Sequence, residues 1–379
     1  MIDLESDKSH VLLNPRMPGE ERARIQQIVA ETSALASHIW LASSGRSGEA
    51  RLVSLSRSAI LASAAAVNRH LRATSSDIWC KPLPSFHVGG LGIYARAKLT
   101  ASPLFELDEW DAASFVTLCD AERVSLSSLV PAQLWDLVNL QLKPPNALRA
   151  IVVGGAALPI GLYQKAREHG WPILPSYGMT ECASQIATAT LESLGEESNQ
   201  LPPLRLLSHL GAREELDGRL SFTGTSLLTL YLKERDGKAV FEDPKKNDWF
   251  TSDDRGSVQI IGDATFIQVA GRTDDFIKIG GEAVYLTRLD QILDEVVRTS
   301  EFPDAAILTF PDDRLGSVIH LAVHTDDPTI GSAVRDAFSA RVLPYERPRE
   351  LLLVDSIPRS PLGKLLRQKL IDAASSSKL

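Results

Sequence analysis

Apolar runs and amphipathic stretches alternate along the first half of the chain. Short apolar runs predict strands, which lie at 38–42, 78–82, 124–129 and 150–153. Stretches with helical periodicity lie at 19–37, 56–71, 90–98, 131–140 and 160–169. Strands that alternate with helices at this spacing favour a parallel sheet covered by helices on both faces.

The pattern changes in the second half. Residues 204–269 contain short β runs separated by turns, which predict a small antiparallel β subdomain. Further helices and strands are then expected at 287–298, 305–310, 318–324, 330–341 and 350–354. We therefore predict an α/β fold with a large N-terminal domain, 1–272, of parallel α/β sheets plus the β subdomain, and a small α+β C-terminal domain, 273–379.

Composition narrows the function classes. A length of 379 residues suggests roughly two or three domains. The net charge of −8 gives no basic footprint for nucleic acid. Cys80, Cys119 and Cys182 form no CxxC pair and indicate reduced thiols. The charged amino terminus lacks the apolar core of a signal peptide, and no apolar run approaches the ~20 residues of a membrane span, so we expect a cytoplasmic protein.

One short polar stretch, Ser176–Glu181, follows an apolar run and precedes Cys182–Ala187, which is expected to start a helix. This order places it at the carboxyl edge of a strand, where α/β sheets bind ligands. There Tyr177 can stack on a base, Thr180 can bind a phosphate and Glu181 can hold Mg²⁺. The alternative is an ordinary strand-to-helix turn with Thr180 as its N-cap.

Ser43–Arg51 is rich in small residues and glycine and directly follows a predicted strand. Such a loop can cradle phosphate with its backbone N–H groups. The alternative is a solvated hairpin loop.

Further candidates lie downstream. Asp253 can accept the hydroxyls of a ribose, or it can belong to an acidic turn, and Arg272 can contact ribose or phosphate. Gly280-Gly281 permits close approach of backbone to a ligand. Lys364 follows a rigid, turn-rich segment, although an isolated Gly-Lys pair is ordinarily a solvated lysine.

In this order, these stretches resemble the motifs of the adenylate-forming superfamily, which contains acyl- and aryl-CoA ligases, carrier-loading adenylation domains and luciferases. The resemblance covers residues 38–370. Within the superfamily, Leu83–Gly90, Leu129–Trp135, Val153–Pro159 and Asp253–Gly256 are most similar to the o-succinylbenzoate–CoA ligases of menaquinone biosynthesis.

The resemblance assigns a role to each candidate residue. Catalysis would fall on Lys364, Thr180, Glu181 and His87, with Glu181 as the Mg²⁺ ligand and Asp274 as the hinge of a mobile C-terminal domain. ATP and CoA would be bound by Ser43, Ser44, Gly45, Ser47, Gly48, Arg51, Gly154, Gly155, Ala156, Tyr177, Gly178, Met179, Asp253, Arg272, Gly280 and Gly281. Arg96 and Ser184 would anchor a substrate carboxylate, provided that Arg96 points inward rather than to solvent.

The implied reaction joins a small carboxylic acid to CoA through an acyl-adenylate, with ATP and Mg²⁺, and o-succinylbenzoate is the expected acid. Two departures accompany the resemblance: Arg51 stands where the family's loop ends in lysine, and the first subdomain is expected to be shortened. Another acyl- or aryl-CoA ligase, a stand-alone enzyme that loads a carrier protein, and a non-catalytic adenylate-binding protein are the alternatives. The sequence leaves a homodimer open.

Overall fold

The computed structural model describes residues 3–15, 17, 19–31, 35, 37–44, 50–196, 200–235, 238–272, 276–279, 282–312, 314–359 and 365–376. The chain divides into two compact units. The first comprises Met1–Leu216, Leu220–Ser252 and Val258–Gln268, and the second comprises Asp217–Arg219, Asp253–Ser257 and Val269–Leu379.

The strands of the described residues are β1 His10–Leu12, β2 His38–Ser44, β3 Ala50–Ser56, β4 Trp79–Lys81, β5 Leu104–Glu106, β6 Leu126–Leu129, β7 Ala150–Val153, β8 Ile173–Met179, β9 Ser184–Thr188, β10 Leu204–Leu206, β11 Leu210–Glu214, β12 Arg219–Gly224, β13 Leu230–Arg235, β14 Lys238–Glu242, β15 Phe250–Ile261, β16 Ala264–Arg272, β17 Phe276–Ile279, β18 Glu282–Tyr285, β19 Ala305–Asp312, β20 Gly316–His324 and β21 Glu350–Val354. The α-helices are α1 Gly19–Glu31, α2 Arg57–His70, α3 Val88–Thr100, α4 Ala112–Ala121, α5 Pro131–Asn139, α6 Ile160–Glu168, α7 Leu286–Thr299, α8 Pro328–Ser339 and α9 Arg367–Ser376.

The larger sheet has the strand order β11-β12-β15-β16-β10-β9-β8-β7-β6-β4-β5. From β8 to β5 neighbouring strands are parallel, and β9 is antiparallel to β8. Strands β6 and β7 are buried along their whole length, as expected for parallel strands with both faces covered. The predicted α/β class is therefore confirmed, and two of the candidate motifs, at 154–156 and 176–181, lie at the carboxyl ends of β7 and β8.

The smaller sheet of the first unit has the order β1-β2-β3-β13-β14. Strands β2 and β3 are antiparallel partners, and their pairing runs from His38 and Ser56 to Ser44 and Ala50. After β3, the predicted helix begins where expected, because the Ser56 side chain accepts a hydrogen bond from the backbone N–H of Ala59. The antiparallel character predicted for 204–269 is confirmed, and its strands are divided between the two sheets.

The second unit contains its own sheet, in the order β18-β17-β20-β19, with β21 parallel to β20. Helix α7 packs its apolar face, including Leu289 and Leu293, into a core with Ile307, Leu321 and Phe338. This is the α+β pattern expected for the last third of the chain.

Across the described parts of the chain, none of the helices combines the length and the apolar character needed to cross a bilayer. Cys80, Cys119 and Cys182 are buried free thiols, as predicted.

Candidate active site

The stretch from Ser176 to Ser184 has a different conformation from the one we predicted. Strand β8 continues through Tyr177 and Gly178 to Met179, and Thr180–Cys182 forms a single 3₁₀ turn. Cys182–Ala187 does not start a helix, because strand β9 begins at Ser184. The N-cap of the turn is Met179, without a side-chain hydrogen bond, so the interpretation of Thr180 as a helix cap is also wrong.

The physical cause is a tight reversal of the chain. Ala183 and Ser184 have φ of 53° and 106°, in the left-handed region, which turns β9 back along β8. Gly178 permits the close approach, since a Cβ there would lie 2.0 Å from the carbonyl oxygen of Ser184. The register shifts between Tyr177 and Gly178, as in a β-bulge next to a functional site.

The carboxyl end of β8 is the accessible part of an otherwise buried strand. Ile173 to Pro175 are buried, whereas Tyr177, Met179 and Thr180 are half-buried and Gly178 is exposed. The Tyr177 ring packs against Phe222 at a centroid distance of 6.1 Å. At this end of the sheet, the Tyr177 ring can stack one of its faces on a planar base.

Gly154, Gly155 and Ala156 lie beside this strand end. They follow β7, whose Val153 pairs with Pro175 of β8. The Ser176 hydroxyl donates a 3.3 Å hydrogen bond to the Val153 carbonyl oxygen, which joins the two strand ends. Gly155 and Ala156 are exposed, so the loop predicted to meet adenine and the predicted stacking ring share one edge of the sheet.

Glu181 is the buried acid of the turn, with only 7% exposure. Its Oε1 accepts hydrogen bonds from Arg51 Nη2 and from the Tyr231 hydroxyl, both at 2.9 Å. The Arg51 guanidinium also lies 4.4 Å from the centroid of the Tyr231 ring. The last residue of the predicted phosphate loop and the predicted metal ligand are therefore in direct contact.

The donor set fits Mg²⁺ that is bound mainly through a nucleotide. Within the described residues there is no group of three or more His, Cys, Asp or Glu side chains that could hold a metal alone. Mg²⁺ in phosphate-transferring sites takes one or two carboxylates and completes its octahedron with phosphate oxygens and water. Glu181, which accepts the hydrogen bonds from Arg51 and Tyr231 on Oε1, can supply such a ligand.

Arg96 lies on α3 and is 2% exposed. Of the two orientations considered above, it therefore has the inward one. Its Nη1 donates to Ser128 Oγ at 3.1 Å, and its Nη2 donates to Ser184 Oγ at 3.5 Å. Nε has no hydrogen-bond partner among the described residues. Burial lowers the pKa of Arg96 to about 9, since no described carboxylate offsets the desolvation of its charge.

The pocket around this guanidinium contains residues that sequence reasoning missed. A Cβ on Gly92 would lie 3.0 Å from Arg96 Nη2, so the glycine leaves room for the fork. The Trp79 ring lies 5.8 Å from the guanidinium carbon. A signal for Ser128 existed, because Ser127 and Ser128 interrupt the apolar residues of β6. Sequence reasoning also missed Tyr231, which contacts Glu181 rather than Arg96. It had no such signal, because it lies on a strand that is distant in the sequence.

The other candidates lie in or next to three further elements, β15, β16 and α3. Asp253 lies within the long strand β15, not in the acidic turn that was the alternative, and it belongs to the second unit. Arg272 ends β16. His87 is exposed at the N-cap position of α3, with its ring 4.6 Å from that of Phe86.

Several predicted residues are outside the described part of the chain or have undescribed side chains. Gly45, Ser47, Gly48, Asp274, Gly280, Gly281 and Lys364 lie outside the described residues. Only the backbones of Ser43, Ser44 and Arg272 are described. The roles predicted for these residues stay predictions.

Known proteins share this architecture. The chain is 28% identical over 298 residues to a 2-succinylbenzoate–CoA ligase of Staphylococcus aureus strain Newman, which covers 77% of this chain and 58% of the relative. The chain therefore spans less than two thirds of that relative's length. A structure of o-succinylbenzoate CoA synthetase (MenE) from Bacillus subtilis with the acyl-adenylate OSB-AMP superimposes with a TM-score of 0.74 at 26% identity, covering 88% of this chain and 68% of that one.

A second structure of the Bacillus subtilis enzyme, in complex with ATP and magnesium ion, gives a TM-score of 0.75 at 25% identity and covers 88% of this chain and 70% of that one. The fold is thus that of the adenylate-forming enzymes, as predicted. A profile of the family described as AMP-binding enzyme matches residues 10–209, which contain the β8–β9 turn, Arg51 and Arg96. The chain belongs to the AMP-binding enzyme family.

Proposed function

We propose that this chain is an acid–CoA ligase that uses ATP and Mg²⁺ to activate an aromatic acid carrying a second carboxylate, with 2-succinylbenzoate as the expected substrate. The observation that carries the proposal is the buried Arg96 without a described carboxylate partner. The names of the relatives point in the same direction, since the similar chains are 2-succinylbenzoate–CoA ligases.

The position of Arg96 argues for a diacid. A buried charge without a counter-ion is costly, and an anionic ligand would offset that cost. Its partner Ser184 comes three residues after Glu181 along the same turn. One substrate carboxylate placed near Thr180 and Glu181 would therefore leave a second anionic group within reach of the guanidinium. A planar fork can bind that carboxylate through two hydrogen bonds.

The chemistry requires placement more than covalent catalysis. The substrate carboxylate attacks the α-phosphorus of ATP, pyrophosphate leaves, and the CoA thiol then attacks the acyl carbon and releases AMP. Tyr177 would hold the base and Glu181 would hold Mg²⁺, which neutralises phosphate charge when it is bound. Orientation of two anions in one site accounts for a large part of such a rate enhancement.

We assign the C-terminal residues the roles that the sequence predicts. In this proposal, residues 273–379 form a mobile domain that pivots at Asp274, presents Lys364 for adenylation and presents Gly280 and Gly281 for the CoA step. Arg359 pairs with Leu365 in a β-bridge and forms an ion pair with Asp304 at 2.7 Å.

A cavity of about 300 Å³ in the second unit supports CoA as the cosubstrate. Arg347 and Arg349 line it together with Tyr345. Two guanidinium groups beside an aromatic ring suit the phosphates and the adenine of CoA. Because ATP and CoA are both cytoplasmic metabolites, the cytoplasm stays the predicted location.

The test is a product assay with purified protein. Pyrophosphate and AMP release are measured with ATP, Mg²⁺ and CoA against a panel of 2-succinylbenzoate, benzoate and fatty acids, and thioesters are identified by mass spectrometry. The proposal predicts the highest kcat/KM and a CoA thioester with the diacid. Adenylate formation without transfer to free CoA would favour an enzyme that loads a carrier protein, and no pyrophosphate release with any acid would contradict the proposal.

A further inference from the structure

We propose that Arg51 and Glu181 exchange partners when Mg·ATP binds. Arg51 would leave Glu181 for a phosphate of ATP as Mg²⁺ takes over the carboxylate. This inference rests on the proposed function and adds to it a role for Arg51 that depends on the metal. The side chains of Arg51, Glu181 and Tyr231 form one hydrogen-bonded cluster.

Both donors in this cluster meet the same carboxylate oxygen. Arg51 Nη2 and the Tyr231 hydroxyl are each 2.9 Å from Glu181 Oε1. Among the described residues, none donates a hydrogen bond to Oε2. Tyr231 can therefore keep its bond to Oε1 while Oε2 accepts a metal ion, which makes Tyr231 a positioning residue for Glu181.

Arg51 has a different relation to the metal. The side chain of Glu181 is 9% exposed, and an unpaired carboxylate at that depth is strongly unfavourable. Arg51 supplies the compensating charge in the structure. Mg²⁺ bound to the same carboxylate would supply that charge instead, and a guanidinium beside a divalent cation would be repelled. Metal binding thus removes the reason for Arg51 to stay on Glu181.

The released guanidinium has a suitable next partner. Arg51 lies on β3 opposite Ser43 of β2, at the base of the loop predicted to hold phosphate. Its side chain is 27% exposed, and turning toward a phosphate would exchange its contact with the Tyr231 ring, at 4.4 Å, for one with the anion. ATP brings the anion that Arg51 requires, and Mg²⁺ brings the cation that Glu181 requires. Each charge of the pair then keeps an opposite partner.

The exchange makes an unusual prediction about nucleotide binding without metal. In EDTA, wild-type Arg51 should remain on Glu181 and contribute little to binding. Glu181→Gln removes the carboxylate charge that holds Arg51 away from the nucleotide. Affinity for α,β-methylene-ATP, measured by calorimetry, should therefore rise about tenfold, the effect of one charge-assisted hydrogen bond. In Mg²⁺ the same variant should bind the analogue more weakly than wild type, because the metal has lost its ligand.

A second background separates exchange from simple charge repulsion. Removing an acid near phosphate would favour binding even without Arg51, so Glu181→Gln is also measured in an Arg51→Gln background. Exchange predicts that the metal-free gain disappears there. A gain of equal size in both backgrounds, or no gain at all, would overturn the proposal. Glu242→Gln is the matched control, since it neutralises the acid of another ion pair, Lys233–Glu242 at 2.6 Å, outside this cluster and should shift metal-free affinity less than twofold.

Two further outcomes are decisive. If Glu181→Gln does not fold, as judged by thermal unfolding, Arg51→Gln alone provides the test, because exchange predicts a smaller enhancement of analogue binding by Mg²⁺ than in wild type. An unchanged enhancement contradicts the exchange. Failure of folded wild-type protein to bind the analogue with Mg²⁺ refutes the nucleotide site itself. Binding without the predicted coupling refutes only the exchange.

Discussion

Arg96→Met should have opposite effects on stability and on substrate preference. The substitution replaces a desolvated guanidinium with an unbranched apolar side chain that can occupy much of the same space. If a residue serves only the structure, its replacement destabilises the protein. A charged residue that serves to bind a ligand can instead destabilise the ligand-free protein, because its charge lacks a partner until the ligand binds.

The structure gives the size of both effects. The pKa of Arg96, which burial lowers to about 9, corresponds to a cost of roughly 5 kcal/mol for its charge when no anion is bound beside it. The hydrogen bonds to Ser128 and Ser184 return about 1.5–3 kcal/mol each. We therefore expect Arg96→Met to leave the free energy of unfolding unchanged within ~1 kcal/mol or to raise it. Loss of a buried pair with the second carboxylate should cost about 3–5 kcal/mol in kcat/KM, or roughly 10²–10⁴-fold.

The assay compares two acids and one control variant. The kcat/KM values for 2-succinylbenzoate and for benzoate are measured alongside guanidinium-induced unfolding. Arg57 is a second buried arginine, and it donates to the carbonyl oxygens of Asp3 and Lys8. Arg57→Met should lower stability and leave the ratio of the two acids unchanged.

Two results would refute the reasoning about Arg96. A fall in kcat/KM by the same factor for both acids would show that Arg96 does not recognise the second carboxylate. A loss of several kcal/mol in stability, similar to that of Arg57→Met, would show that the guanidinium is a structural element of the core.

Three further predictions concern other parts of the chain. Lys364→Ala should lower acyl-adenylate formation about 10²–10³-fold and spare thioester formation from supplied acyl-adenylate, and equal loss of both steps in single-turnover assays would contradict the two-conformation scheme. Replacing Arg347 and Arg349 with alanine should raise KM for CoA at least about tenfold and leave KM for ATP unchanged, which steady-state kinetics would check. Burial lowers the pKa of His209 to about 4, and neither ring nitrogen has a partner among the described residues. The contribution of His209 to the free energy of unfolding should therefore be fully present above its unfolded pKa of about 6.5. It should fall as the pH drops toward 4, by up to ~1.4 kcal/mol per pH unit. Urea titrations of His209→Phe should no longer show that slope.

The sequence predicted the features that depend on local pattern. The alternation of strands and helices, the start of the helix at 56–71 and the position of Tyr177 at the carboxyl end of a strand follow from periodicity and turn chemistry within a few residues. The inward position of Arg96 was one of two orientations that the sequence allowed, and the structure selects it through contacts with Ser128 and Ser184.

The features that were missed depend on distant parts of the chain. Cys182–Ala187 lacks a strand-like alternation because β9 is buried on both faces, so its pattern resembled a helix start. The positive φ of Ala183 and Ser184 is imposed by the β8–β9 reversal and has no propensity signal. Tyr231 contacts Glu181 across 50 residues of sequence, and only the folded sheets bring the two together.

The most direct test of the proposed activity is detection of the acyl-adenylate. Protein, ATP, Mg²⁺ and 2-succinylbenzoate are mixed without CoA, and the quenched reaction is examined by mass spectrometry before and after CoA is added. We predict 2-succinylbenzoyl-adenylate in amounts comparable to the enzyme, followed by its conversion to the CoA thioester and AMP. Absence of the adenylate from folded protein, with no pyrophosphate released, would contradict the assignment.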